Sequence, residues 1–139
     1  MNEDRSRQQI PLNFRILAVV MHALCTLLPI TCLPITWIIW LVTRNQHPFV
    51  DRSGRSALNF QTSLFLYLFV IAGLIGVICG VLPTNISQSF VGIIAYPAIF
   101  LVGILMFSAF LLPIVAAVLA MYGRIYSYPL TVKFLSELP

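Results

Sequence analysis

Charge is what this sequence has least of. Eight Lys and Arg and four Asp and Glu amount to 9% of 139 residues, where soluble domains carry roughly 25%. So few ionic side chains do not clothe a water-soluble monomer. A disordered chain is excluded as well, because it needs low hydrophobicity and high charge, and 60% of this chain is hydrophobic. Acids are missing from the apolar runs altogether: Glu3, Asp4, Asp51 and Glu137 all lie outside them. No carboxylate pair is therefore placed for general acid–base work inside a membrane. The sequence has no P-loop, no His-Glu-x-x-His, no Gly-x-Ser-x-Gly and no Cys-x-x-Cys, the patterns that carry phosphate, zinc and nucleophile chemistry. Cysteine is scarce too. Cys25, Cys32 and Cys79 fit no metal or redox spacing and read as small buried hydrophobes, with a Cys32–Cys79 bridge the less favoured alternative. The net charge of +4 is not gathered into the dense basic patch of a nucleic-acid binder. These absences argue against an enzyme, a resident cofactor, a metal site and a nucleic-acid partner.

What is present is apolar sequence in four runs: Phe14–Leu28, Cys32–Thr43, Leu58–Leu82 and Phe90–Tyr122. As a helix the third is about 37 Å long and the fourth about 50 Å, against a hydrocarbon core of about 30 Å. Pro97 and Pro113 divide the fourth run. The reading is an interfacial first part followed by a crossing helix from about Ala98 to Tyr122. The first two runs are short for separate crossings. They form either one kinked span, broken at Pro29 and Pro34, or a tight hairpin that turns there.

Charge placement decides between the two. With a hairpin, all the charged residues (Arg5, Arg7, Arg15, Arg44, Arg52, Arg55, Arg124, Lys133 and the four acids) share one side. The other side receives only uncharged turns. A single kinked span sets the N-terminal arginines opposite Arg44, Arg52 and Arg55, against the positive-inside rule. The expected fold is an all-α integral membrane protein of about four hydrophobic helices: a short N-terminal helical hairpin plus two long transmembrane helices. Residues 1–13 form a polar N-terminal segment, 14–134 the membrane domain and 135–139 a short tail, with both termini cytoplasmic or stromal. Trp37, Trp40, Tyr122, Tyr126 and Tyr128 suit interfacial anchoring. The sequon Asn85-Ile86-Ser87 sits in so short a loop that it reads as accidental. The first dozen residues, with Glu3 and Asp4, do not resemble a transit peptide.

The richest polar segment runs from His47 to Gln61. Pro48 excludes helical geometry at His47, so a helix starts after it, with Asp51 as its expected N-cap. Arg52, Ser56, Asn59, Ser63 and Tyr67 recur at steps of three and four and form one stripe, with Gln61 on the opposite face. Amides at Asn59 and Gln61 are costly in lipid and therefore bond a neighbour or line a wet crevice; interhelical glue is the favoured reading, a polar entrance the alternative. Ala72, Gly76 and Gly80 form a small-residue row for close helix packing. The smooth face of Ala109, Pro113, Ala117 and Ala120 is its economical partner, and an oligomer or foreign subunit the other. His22, deep in the first run, reads as a hydrogen-bonded packing histidine rather than a metal ligand or proton relay.

Three stretches resemble the Tic-Twenty-like family of small bacterial and plastid membrane proteins. The first is His47-Pro48-Phe49-Val50-Asp51 with Gly54 and Ala57-Leu58-Asn59-Phe60-Gln61. The second is Gly123, Tyr126 and Tyr128-Pro129-Leu130-Thr131. The third is His22 with the run from Pro34 to Trp40-Leu41. The chain departs from that family's pattern at Arg55-Ser56, where Lys-Glu is common, and at Arg124, where an acidic residue is. The resemblance implies a four-helix membrane domain and a link to protein translocation, proposed for the chloroplast members. It also implies a bacterial inner, thylakoid or plastid membrane. The family-motif residues become candidate interaction positions: His22, His47, Pro48, Phe49, Asp51, Gly54, Asn59, Phe60, Gln61, Gly123, Tyr128 and Pro129. The functional expectation is a non-enzymatic subunit or assembly factor of a larger membrane complex. Its partners are the lipid bilayer and other integral membrane proteins, or further copies of itself. The alternative is an oligomeric channel or carrier for a peptide, ion or small solute.

Overall fold

The computed structural model describes residues 10–27, 33–81, 88–129 and 131–135. These form four helices and, among the described residues, no strand. Helix α1 is Leu12–Leu27, α2 is Leu33–Thr43, α3 is Pro48–Val81 and α4 is Gln88–Met121. The two long helices are each long and apolar enough to cross a membrane. The two short ones reach only about 24 and 16 Å. The chain is an all-helical membrane protein. The turns at 28–32 and 82–87 lie outside the described residues, as do Cys32, the Cys79 side chain, the sequon and residues 1–9.

Local chemistry sets the helix boundaries. Pro11 accepts hydrogen bonds from the amides of Phe14 (3.1 Å) and Arg15 (3.4 Å) and so opens α1. After α2, Gln46 donates to the Thr43 carbonyl (3.0 Å) in a turn that brings the chain back into α3. At its other end α4 stops at Gly123, whose φ of 69° suits a residue without a β-carbon. The Gly123 amide bonds the Ala120 carbonyl and the Arg124 amide bonds the Leu119 carbonyl, both at 2.9 Å, which is the Schellman closure of a helix end.

Two expectations change here. Helix α4 is one continuous helix through Pro97 and Pro113, not an interfacial part followed by a separate crossing helix. An internal proline is tolerated in a membrane helix where neighbouring helices re-satisfy the groups it frees; Pro97 is exposed. Pro113 lies on the buried side of α4.

The packing centre is also displaced. Helix α1 lies against both long helices, most extensively against α4, while α2 lies on α3. Ala18 of α1, Phe49 of α3 and Ala120 of α4 form one small core. Met21, Trp40, Val50 and Leu58 form a second. Phe60 and Leu64 meet Ala109, Ala116 and Tyr128 in a third. The smooth face of α4 is thus used, but against α1 and the first half of α3. The row Ala72, Gly76 and Gly80 has no partner among the described residues of the chain. Ala72 is exposed, and a β-carbon added at Gly73, Gly76 or Gly80 meets nothing within 4 Å. Small residues permit close approach without specifying what approaches.

Candidate functional site

The ends of the helices that carry the charges converge. The Phe14 ring stacks on His47 (centroids 4.8 Å apart), and Arg15 Nη1 lies 3.5 Å from the Met121 carbonyl. Contacts of α1 with the end of α4, of α2 with α3, and of α3 with the segment after α4 bring Arg15, Arg44, Arg52, Arg55 and Arg124 to one end of the molecule. The basic residues among those described thus gather at one end, as the hairpin reading expects; Glu3, Asp4, Arg5, Arg7 and Glu137 lie outside the described residues.

His47 rather than Asp51 caps α3. The His47 carbonyl accepts from Val50 (3.0 Å) and Asp51 (3.2 Å), and its Nδ1 accepts from the Phe49 amide at 3.1 Å. Pro48 occupies the first helical position, where its missing N–H costs nothing. Asp51 sits one turn inside. Its carboxylate accepts from Trp40 Nε1 (3.0 Å) and from Arg55 Nε (3.0 and 3.1 Å), and lies 3.0 Å from Arg55 Nη2. The guanidinium carbons of Arg44 and Arg55 lie 5.2 and 5.8 Å from the Trp40 ring centroid, within cation–π range. Trp40 is 3% exposed. It and Tyr128 are packing residues, not interfacial anchors; Trp37 and Tyr122 keep exposed rings.

The polar stripe of α3 holds the C-terminal segment. Ser56 donates to the Tyr126 carbonyl. Asn59 pairs reciprocally with the Leu135 backbone: its Nδ2 donates to the carbonyl (3.3 Å) and its Oδ1 accepts from the amide (2.9 Å). Ser63 accepts from the Val132 amide at 2.9 Å and donates to the Asn59 carbonyl at 2.7 Å. An irregular segment beside apolar helices needs partners for its backbone groups, and the stripe supplies them. The expected glue exists, but it binds a strap of irregular chain rather than another helix.

Tyr128 closes the strap onto the core. Its hydroxyl lies 2.9 Å from His22 Nδ1 and its ring stacks on Phe60 with centroids 4.2 Å apart. Burial, with smaller contributions from Cys25 and Tyr126, pushes the Tyr128 hydroxyl far above the usual phenol range, so it remains protonated. His22 is accordingly a hydrogen-bonded packing histidine. Pro129 is exposed at the turn that follows. Gln61 stands apart from this assembly: it is 1% exposed, and neither amide atom has a hydrogen-bond partner.

Between the stripe and the strap lies a crevice of about 430 Å³. Arg52, Arg55 and Lys133 line it together with Ser56, Asn59, Tyr126 and Ser127. The sequence marked its helical wall, and the resemblance singled out Gly123, Tyr126, Tyr128 and Pro129 of the strap without showing what they pack against. The strap has no periodicity from which its contacts could be read. Among the described residues no three His, Cys, Asp or Glu side chains gather as metal ligands.

A protein-family model matches residues 13–135, and its family is the magnetosome magnetite crystal formation protein family. The chain belongs to that family. No curated protein matches it, and no solved structure does. This assignment corrects the Tic-Twenty-like resemblance, and with it the link to protein translocation and the thylakoid or plastid setting. The residues that prompted the resemblance all fall within the matched span.

Proposed function

We propose that this chain is a non-enzymatic membrane subunit that acts in magnetite crystal formation at a magnetosome membrane. The observation that carries the reading is the family match across residues 13–135. Its mode of action is contact with lipid and with other membrane proteins. Exposed apolar side chains along both long helices support the lipid contact, among them Phe65, Phe69, Val77, Phe100 and Phe107. The open row at Gly73, Gly76 and Gly80 supports close packing with a partner helix or a second copy. The basic end faces the cytoplasm on the positive-inside rule, with both termini there.

The test is genetic. Loss of the gene in a magnetite-forming cell is expected to change crystal size or number in electron micrographs, and the wild-type gene to restore them. Gly76→Leu is expected not to restore them although the protein reaches the membrane. Unchanged crystals in the deletion would overturn the reading.

A second reading, an oligomeric channel or carrier, is favoured by Gln61 alone. An amide with no partner, buried in an apolar helix, suits a wet path. Reconstituted protein would then conduct, and Gln61→Leu would abolish the flux; absence of conductance removes this version.

A further inference from the structure

Burial divides each long helix in two. On α3 the buried residues end at Leu64, and on α4 they begin at Ala109. Among the described residues, none of α3 beyond Leu64 and none of α4 before Ala109 is buried. Helices α1 and α2 pack at the opposite end, where Ala18, Met21 and Trp40 meet Phe49, Val50, Leu58 and Ala120. That is the end that carries the arginines. From Leu64 to Val81 α3 runs about 25 Å, and from Gln88 to Ala109 α4 runs about 31 Å. One leaflet's share of a hydrocarbon core of about 30 Å is about 15 Å. With Val81 and Gln88 at the far face, the two-helix part passes through the whole far leaflet, even at a tilt of about 40°. The four-helix body is thereby confined to the leaflet at the charged end and its headgroups.

The outer faces of α1 and α2 are apolar and exposed, at Ile16, Val20, Ile35, Ile38 and Val42, so lipid of that leaflet is what covers them. A helix is about 10–12 Å across, so two additional helices enlarge the near leaflet's section by roughly 200 Å² over the far one. Bending a bilayer spreads the lipids of its convex leaflet and crowds those of its concave one. A body that adds area to the convex leaflet alone fills the spread, which is also how interfacial helices respond to curvature. We propose that this chain is a wedge whose partner is a strongly curved bilayer, convex on the charged side. With the charged end cytoplasmic, as proposed above, the fitting membrane bulges into the cytoplasm. The preference follows from shape and stands whatever the role in crystal formation.

The experiment inserts the full chain from detergent into preformed phosphatidylcholine vesicles of two kinds, small sonicated and large extruded. Trypsin is then added outside. Cleavage at Arg44 and Arg124, both exposed, reports molecules whose charged end faces outward. The zwitterionic lipid removes attraction to anionic headgroups as a cause of orientation. The orientation taken on insertion follows the difference in free energy between the two. The outward-to-inward ratio is expected to be at least about threefold higher in the small vesicles. Lysophosphatidylcholine, with one chain under the same headgroup, fills the spread of a convex leaflet by itself. Included in the small vesicles before insertion, it is expected to return the ratio toward that of the large ones. A ratio in small vesicles equal to or below that in large ones overturns the proposal. So does a higher ratio that lysophosphatidylcholine leaves unchanged, because the bulk of the charged end, and not bending, would then set the orientation.

Discussion

Gly54 lies directly beneath the indole of Trp40. A β-carbon at Gly54 would overlap Trp40 Cδ1, and would stand 3.0 Å from Cγ and 3.1 Å from Met21 Sδ. Trp40 is held at Nε1, the atom next to Cδ1, by the Asp51 carboxylate, and two guanidinium groups lie over its ring, so it has little freedom to yield. Gly54→Ala is therefore expected to cost about 1–3 kcal/mol through overpacking. In a thermal-unfolding comparison in detergent it should lower the midpoint. Gly73→Ala, in open space, should leave the midpoint unchanged or raise it, since alanine is the better helix former. Matching behaviour of the two variants would remove the close contact from the account.

The strap depends on Asn59 more than on any other side chain, because that amide satisfies both backbone groups of Leu135. Asn59→Leu leaves those groups without their partners, at about 1–3 kcal/mol. The loss is expected to be local. Hydrogen exchange at Val132–Leu135 should accelerate while exchange in α1 stays slow. Uniformly faster exchange would show that the strap belongs to the global core instead.

These two sites show what was legible in the sequence and what was not. The one-ended charge was readable because so few charges exist: placing Arg44, Arg52 and Arg55 constrains Arg15 and Arg124. His47, Pro48, Gly54 and Asn59 stood out as polar or special residues in an apolar context. Their partners did not. Asp51 reads as an N-cap by residue type, but Pro48 at the first helical position gives the cap to His47 and leaves Asp51 to Trp40. Gly76 reads as a packing residue, yet spacing carries no information on which helix comes close. Residues of the strap such as Tyr128 and Pro129 were named in sequence, but its course was illegible because irregular backbone has no period. Pro97 looks like a helix boundary in sequence, yet the helix runs through it; Pro113 falls inside the expected crossing helix and lies on the buried side of α4.

Tyr128→Phe isolates the hydrogen bond at the strap's anchor. The ring stack on Phe60 is retained, while His22 Nδ1 loses its partner. The expected cost is about 1–3 kcal/mol. A pH dependence accompanies it. The folded-state pKa of Tyr128 is raised by burial above its ordinary value of 10.0. Its contribution is therefore complete below about pH 10 and declines at higher pH, where the unfolded chain ionises and the folded one does not. Wild-type stability should fall above pH 10 more steeply than that of Tyr128→Phe. Parallel curves would mean that the hydroxyl is solvated.

Gly123 offers a test of how the strap is launched. Its positive φ and the Schellman bonds to Leu119 and Ala120 turn the chain from the end of α4 back toward α3. Gly123→Ala retains the amide and adds only the penalty of a left-handed conformation, about 1–2 kcal/mol. Because the turn aims Tyr126 and Tyr128 at their partners, the variant should also loosen the Tyr128–His22 contact, read as faster exchange at the Val132 amide. Gly123→Asn, which tolerates that conformation better, should recover most of the loss. If alanine and asparagine behave alike, backbone conformation at this residue does not direct the strap.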